Sequence, residues 1–157
     1  MLRRVHAVLL LAPFVGRLLS AQSAQVSFVR VHMEADRPSA TTMTAPVKGG
    51  AAAAVLEAQP SLDLGAIARA YPQRLHGEAD YAVLIALTDA GKAAFAQATG
   101  RHISRRVAVV VDDTVTKLAV VRSALRGPIP IADGLSEARA TALADRITAQ
   151  VRLWRAP

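Results

Sequence analysis

The pattern of apolar and polar positions changes character at Tyr81. Tyr81 to Leu87 (YAVLIAL) is a short apolar run with a β-branched centre, which predicts a strand. Thr88 or Asp89 then caps a helix over Ala90 to Thr99, with Gly91, Ala94, Phe95 and Ala98 facing inward and Gly100 as its stop. Arg106 to Val111 (RVAVVV) and Thr114 to Val121 (TVTKLAVV) flank Asp112-Asp113 and predict a hairpin with a tight turn. Pro128 to Ala132 is a further extended piece. Ser136 follows as the cap of a helix whose Ala140, Leu143, Ala144, Ile147 and Val151 form one apolar stripe. The order β, α, β, β, β, α predicts an α+β fold: a small, mainly antiparallel sheet with two main helices packed on one face.

Upstream the periodicity is weaker. Gln25 to Ala35 alternates Val26, Phe28, Val31 and Met33 with polar residues and predicts a leading strand within 24–35. Residues 36–59 contain two prolines, a glycine pair and a four-alanine run. No apolar period offsets the entropy of ordering them, so a flexible connector is expected. After it, Asp63 or Ser61 caps a short helix with Leu64, Ile67, Ala68 and Tyr71 on one face, closed by Pro72. This helix opens the α+β domain, expected over 60–157.

Residues 1–23 read as a targeting segment. Arg3 and Arg4 precede a ten-residue apolar stretch, Ala7 to Gly16, and then small and polar residues up to Ser23-Ala24, the order of a secretory signal peptide cut before Ala24 or just after Ala21. Pro13 and Arg17 disfavour a buried helix, and a run this short does not cross the roughly 30 Å of bilayer hydrocarbon. A periplasmic or secreted protein is expected, with no stable membrane span after cleavage.

Charge then narrows the partners. The chain has 157 residues with 19 Lys+Arg and 12 Asp+Glu, and cleavage would remove three arginines and no acid, leaving a formal charge of +4. Most arginines stand singly; only Arg101 with Arg105-Arg106 clusters, and no aromatic lies beside them for base stacking, so no nucleic-acid partner is expected. Sixteen Arg against three Lys, and no Asn, fit a GC-rich bacterial genome. The lack of cysteine excludes disulfides, thiolate metal sites and a cysteine nucleophile.

Leu87 to Thr99 (LTDAGKAAFAQAT), Arg105 to Val115 (RRVAVVVDDTV) and Ser136 to Ile147 (SEARATALADRI) together resemble the head subdomain of the first periplasmic domain of SecD and SecDF, accessory subunits of the preprotein translocase. In the first block Leu87, Thr88, Asp89, Gly91, Lys92 and Phe95 carry the likeness. In the second it is Ala108, Val109, Val110, Asp112 and Val115, and in the third Ser136, Ala140, Leu143 and Ala144. The resemblance covers roughly Pro60 to Val151. Departures are Asp113 where the family turn has Gly, the absence of a proline near Ala119, and a displaced Gly134. The family's membrane bundle is a further departure: none is found in these residues, so a stand-alone exported domain is expected, which by itself could not couple to a proton gradient.

No catalytic constellation emerges. Asp112-Asp113 is explained by the turn; His32, His76 and His102 have no metal-ligand spacing; Ser104, Ser123 and Ser136 lack a GxSxG context; and no phosphate-binding glycine loop occurs. The expectation is therefore a non-enzymatic docking domain without cofactor or metal, holding extended polypeptide or an envelope or translocase protein. Its contacts are assigned to the hairpin strands through Arg106, Val107, Val109, Val111, Val115 and Lys117. A small extracytoplasmic hydrolase and a translocase-derived remnant without a client are the alternatives. A leading strand lying over the hairpin edge would leave residues 36–54 as a tether.

Overall fold

The computed structural model describes residues 29–50, 52–76 and 79–157, so the targeting segment, Val26 and Phe28 lie outside the described residues. Among the described residues eight strands and two α-helices follow one another: β1 (Val29–Met33), β2 (Thr42–Pro46), β3 (Ala53–Glu57), β4 (Ile67–Arg74), β5 (Tyr81–Leu87), α1 (Asp89–Arg101), β6 (Arg106–Val111), β7 (Thr114–Val120), β8 (Ile129–Leu135) and α2 (Glu137–Arg155). The fold is α+β, as the pattern predicts, and its strands divide into three small antiparallel sheets ordered β1-β6-β7, β2-β3 and β4-β5-β8.

The continuous apolar run of β6 explains the layering. Val107, Val109 and Val111 point into the main core with Val29, Val31 and Met33 of β1, Val83 and Ile85 of β5, Ile131 of β8 and the α2 stripe Ala140, Ala144, Ile147 and Val151. Ala108 and Val110 point the other way, into a second cluster with Val115. An open face there would leave valines in water. The β2–β3 hairpin closes it with Ala45, Ala54 and Leu56. This corrects the expected loop over 36–54: most of it is the cover of a sheet that is apolar on both faces.

A second correction concerns residues 64–74. Instead of a helix, Leu64–Ala66 forms a single 3-10 turn capped by Asp63, and Ile67–Arg74 is β4. Helical spacing at Leu64, Ile67 and Tyr71 loses to pairing along β5 from Ile67–Leu87 to Arg74–Tyr81. Pro72, expected to close a helix, sits within an edge strand, where a missing N–H is tolerated. The Thr148 hydroxyl of α2 accepts from the Ala70 N–H at 3.0 Å and donates to the Ala70 carbonyl at 3.2 Å, sealing part of that edge.

Helix α1 begins at its expected cap, the Thr88 hydroxyl accepting from the Gly91 N–H at 3.0 Å, but runs through Gly100 to Arg101. Its buried residues are Gly91, Phe95, Ala96 and Thr99, whereas Ala94 is exposed and Ala98 half-buried. Ser136 occupies the α2 cap position without a side-chain cap bond. The β6–β7 turn is as expected: Asp112 and Asp113 take φ of 50° and 61°, the positive pair that a type I′ turn requires.

Candidate functional site

The two strands of the β6–β7 hairpin have unequal edges. On its outer side β6 is paired with β1 from Val29–Val111 to Met33–Val107, so the leading strand covers β6 and not β7. On β7, Lys117 and Ala119 stand opposite Val109 and Val107, and just beyond the strand the Val121 N–H donates to the Arg105 carbonyl at 2.8 Å. By the alternation of an antiparallel ladder, the backbone N–H and C=O of Leu118 and Val120 point away from β6. Neither residue has a backbone partner on that side among the described residues. Val115 is different: its carbonyl accepts from the Lys48 N–H at 2.9 Å, so the hairpin loop occupies that stretch.

Among the described residues strand β8 likewise pairs only on its β5 side. Between the β7 and β8 edges lies a groove of about 400 Å³, with Phe95, Val107, Val109 and Ile129 among its apolar lining. One end is marked by an ion pair between Lys117 and Asp133. The other is bounded by the connection from β7 to β8, whose Leu125, Gly127 and Pro128 line the groove. Thr99 holds this connection. Fully buried on α1, its hydroxyl accepts from the Leu125 N–H at 2.9 Å and donates to the Phe95 carbonyl at 2.6 Å.

Of the residues assigned to polypeptide contact, Val107, Val109 and Lys117 therefore come together at the groove, and Arg106, Val111 and Val115 do not. Arg106 forms a bidentate pair with Glu34, its Nε donating to Oε2 at 2.6 Å. Val111 is in the main core and Val115 under the β2–β3 hairpin. Sequence reasoning missed Thr99. The available signal was its position four residues after Phe95, a polar side chain on the buried helix face.

The histidines belong elsewhere. His32 is fully buried beneath β3; its Nδ1–H donates to the Glu57 carbonyl at 2.8 Å, while Nε2 has no hydrogen-bond partner among the described residues. Burial first, then the nearby Arg30 charge, lowers its pKa below the ordinary histidine value, against the opposing pull of Glu57. His102 lies 3.5 Å from the Glu57 carboxylate, and Arg105 bridges Asp36 at 3.0 Å. These contacts clasp the hairpin onto the sheet. Among the described residues no three His, Asp or Glu converge as a metal site, and no helix is long and apolar enough to cross a membrane. What the groove supplies is apolar surface beside free backbone hydrogen-bonding groups.

The family described as SecDF, P1 head subdomain, matches residues 39–150, a range that includes the covering hairpin and every groove residue. Two solved structures share the fold. One is described as a membrane component SecDF that enhances protein export, with 18% identity and a TM-score of 0.59 over 82% of this chain and 63% of that one. The other, SecDF in a super-membrane-facing form, has 20% identity and a TM-score of 0.59 over 82% of this chain and 19% of that one. The chain thus spans less than two thirds of the length of either. No curated protein sequence matches it.

Proposed function

The chain belongs to the SecDF P1 head subdomain family, and from that premise we propose that it is a non-catalytic, extracytoplasmic domain that holds extended polypeptide beside the export machinery. The observation that carries this reading is the unpaired β7 edge at Leu118 and Val120 alongside an apolar groove. An incoming segment in strand conformation pairs its N–H and C=O groups with that edge, whatever its sequence, and lays alternate side chains against Phe95, Val107 and Ile129. Backbone pairing alone gives low sequence selectivity, which suits a holder of unfolded chains. Residues 1–23, removed near Ser23-Ala24, would deliver the domain across the membrane; the intact mass of protein recovered from the envelope tests this, and full-length protein in the cytosol would refute it.

The holding reading is tested by backbone-amide NMR of the purified protein titrated with an unfolded model peptide. Leu118, Ala119 and Val120 should shift together with groove residues, the β1 amides should stay in place, and a chelator should change nothing. A titration that leaves residues 117–121 unmoved, or binding that a chelator abolishes, overturns it.

A further inference from the structure

The groove has an apolar floor but an asymmetric rim. At one end, Lys117 of β7 is neutralised by Asp133 of β8. The connection that closes the other end, Val121 to Pro128 (VRSALRGP), carries Arg122 and Arg126 and no acidic residue. Both arginines are exposed, and neither has an ion-pair partner among the described residues. Arg30, Lys92, Arg105, Arg106, Lys117 and Arg146 each reach an acid, whereas Arg122 and Arg126 are among several exposed arginines, Arg74, Arg139 and Arg152 included, that do not; what sets them apart is their place on the connection that bounds the groove. A Cβ at Gly100 would stand 3.6 Å from the Ala124 Cβ, so α1 ends against this same connection.

We infer that the groove selects extended segments carrying acidic residues next to an apolar stretch, the carboxylates meeting Arg122 and Arg126 where β7 ends. This rests on the polypeptide reading above and adds a chemical preference to it. A strand advances about 3.3 Å per residue, so a segment paired with Leu118 and Val120 runs on past the end of β7 and brings its next residues to the arginine-bearing connection. Guanidinium groups fit carboxylates in a planar two-bond geometry. The arginines are solvated, so each contributes a modest, salt-sensitive factor of about two- to five-fold. A basic segment meets repulsion at the same place, which widens the discrimination.

The test uses three labelled peptides in which Leu and Ser alternate, flanked at both ends by two Asp, two Gln or two Lys. Each is titrated by fluorescence anisotropy against the protein and against the Arg122→Gln/Arg126→Gln double variant, with Arg139→Gln as the charge control. The Asp-flanked peptide should bind on the order of ten-fold more tightly than the Gln-flanked one at low salt, and the Lys-flanked peptide more weakly still. The double variant should erase the preference while leaving the Gln-flanked affinity and the thermal midpoint unchanged. Equal binding of the Asp- and Gln-flanked peptides overturns the inference but leaves the holding reading intact; binding of none of them, with the β7 amides unmoved, overturns that reading itself. Vesicles with 30% anionic lipid are run in parallel. Sedimentation of the protein with them, lost in the double variant, together with no peptide preference, would assign the arginines to a lipid surface and overturn the inference.

Discussion

Two glycines in one helix should respond to alanine with opposite signs. Gly91 and Gly100 both lie within α1, and intrinsic propensity favours alanine at a helix interior by about 1 kcal/mol. At Gly91 that gain meets an obstacle: a Cβ would stand 2.3 Å from the Ala66 carbonyl oxygen and 3.1 Å from the Ala66 carbonyl carbon and Cα. These are backbone atoms, and the carbonyl is held because it accepts from the Thr88 N–H at 2.9 Å, just where β4 begins to pair with β5. Making room requires α1 to withdraw by about 1 Å, which stretches that bond or the Thr88 cap; overpacking costs about 1–3 kcal/mol and a lost cap about 1 kcal/mol. The clash wins, and Gly91→Ala should lose about 1–3 kcal/mol net. At Gly100 the new methyl meets only the Ala124 Cβ at 3.6 Å, an ordinary contact, so Gly100→Ala should gain up to about 1 kcal/mol. Urea unfolding followed by far-UV circular dichroism measures both. Midpoints that rise together in the two variants would refute the seating of α1 on Ala66.

Phe95 is 3% exposed and contributes to both the main core and the groove floor, so Phe95→Ala should cost about 3–5 kcal/mol; a denaturation midpoint that barely moves would show that the ring is not buried. His32 has its pKa lowered by burial, so on acidification the unfolded chain takes up the proton first: its contribution to stability should be constant above about pH 6.5 and fall below it, by at most about 1.4 kcal/mol per pH unit, until the folded-state pKa is passed. The drop between pH 7.5 and 5.5 should be smaller in His32→Gln, and equal drops would remove His32 as its source. Asp113→Gly exchanges a residue at φ 61° for one without that strain, a gain of about 1 kcal/mol, against an exposed ion pair with Arg30 worth about 0–1 kcal/mol. The variant should be as stable as the parent or slightly more so, and a loss above 1 kcal/mol would show the ion pair to dominate.

Elements with their own strong local signal were legible. The I′ turn at Asp112-Asp113, the Thr88 cap and the α2 stripe follow from side chains within a few residues of one another. The errors occur where distant partners decide. The β2–β3 hairpin buries Ala45, Ala54 and Leu56, small or solitary residues that make no visible period. Its existence is instead implied by β6, because five consecutive apolar residues from Val107 to Val111 demand cover on both faces. Residues 64–74 fit helical spacing locally, and only the seven-pair ladder to β5 selects the strand. Pro72 was the clue, since proline inside an apolar run also marks an edge strand.

The candidate site was half legible for a narrower reason, a single residue of register. Counting by twos from the turn puts Val115 and Lys117 on one face of β7. In the structure they part: Val115 lies beneath the β2–β3 hairpin and Lys117 lines the groove. The ladder slips between Val109 and Val110, which face Lys117 and Val115 and leave Thr116 as the extra residue, its hydroxyl donating to the Val109 carbonyl at 3.3 Å. A bulge of this kind reverses both the side-chain faces and the direction of the backbone groups beyond it. Without it, the groups turned away from β6 after Val115 would be those of Lys117 and Ala119. With it they are those of Leu118 and Val120, beside the groove and adjoining Arg122. The same residue that defeats period-two counting therefore aims the free edge of β7, which is why the hairpin could be read from sequence while the part of it that forms the site could not.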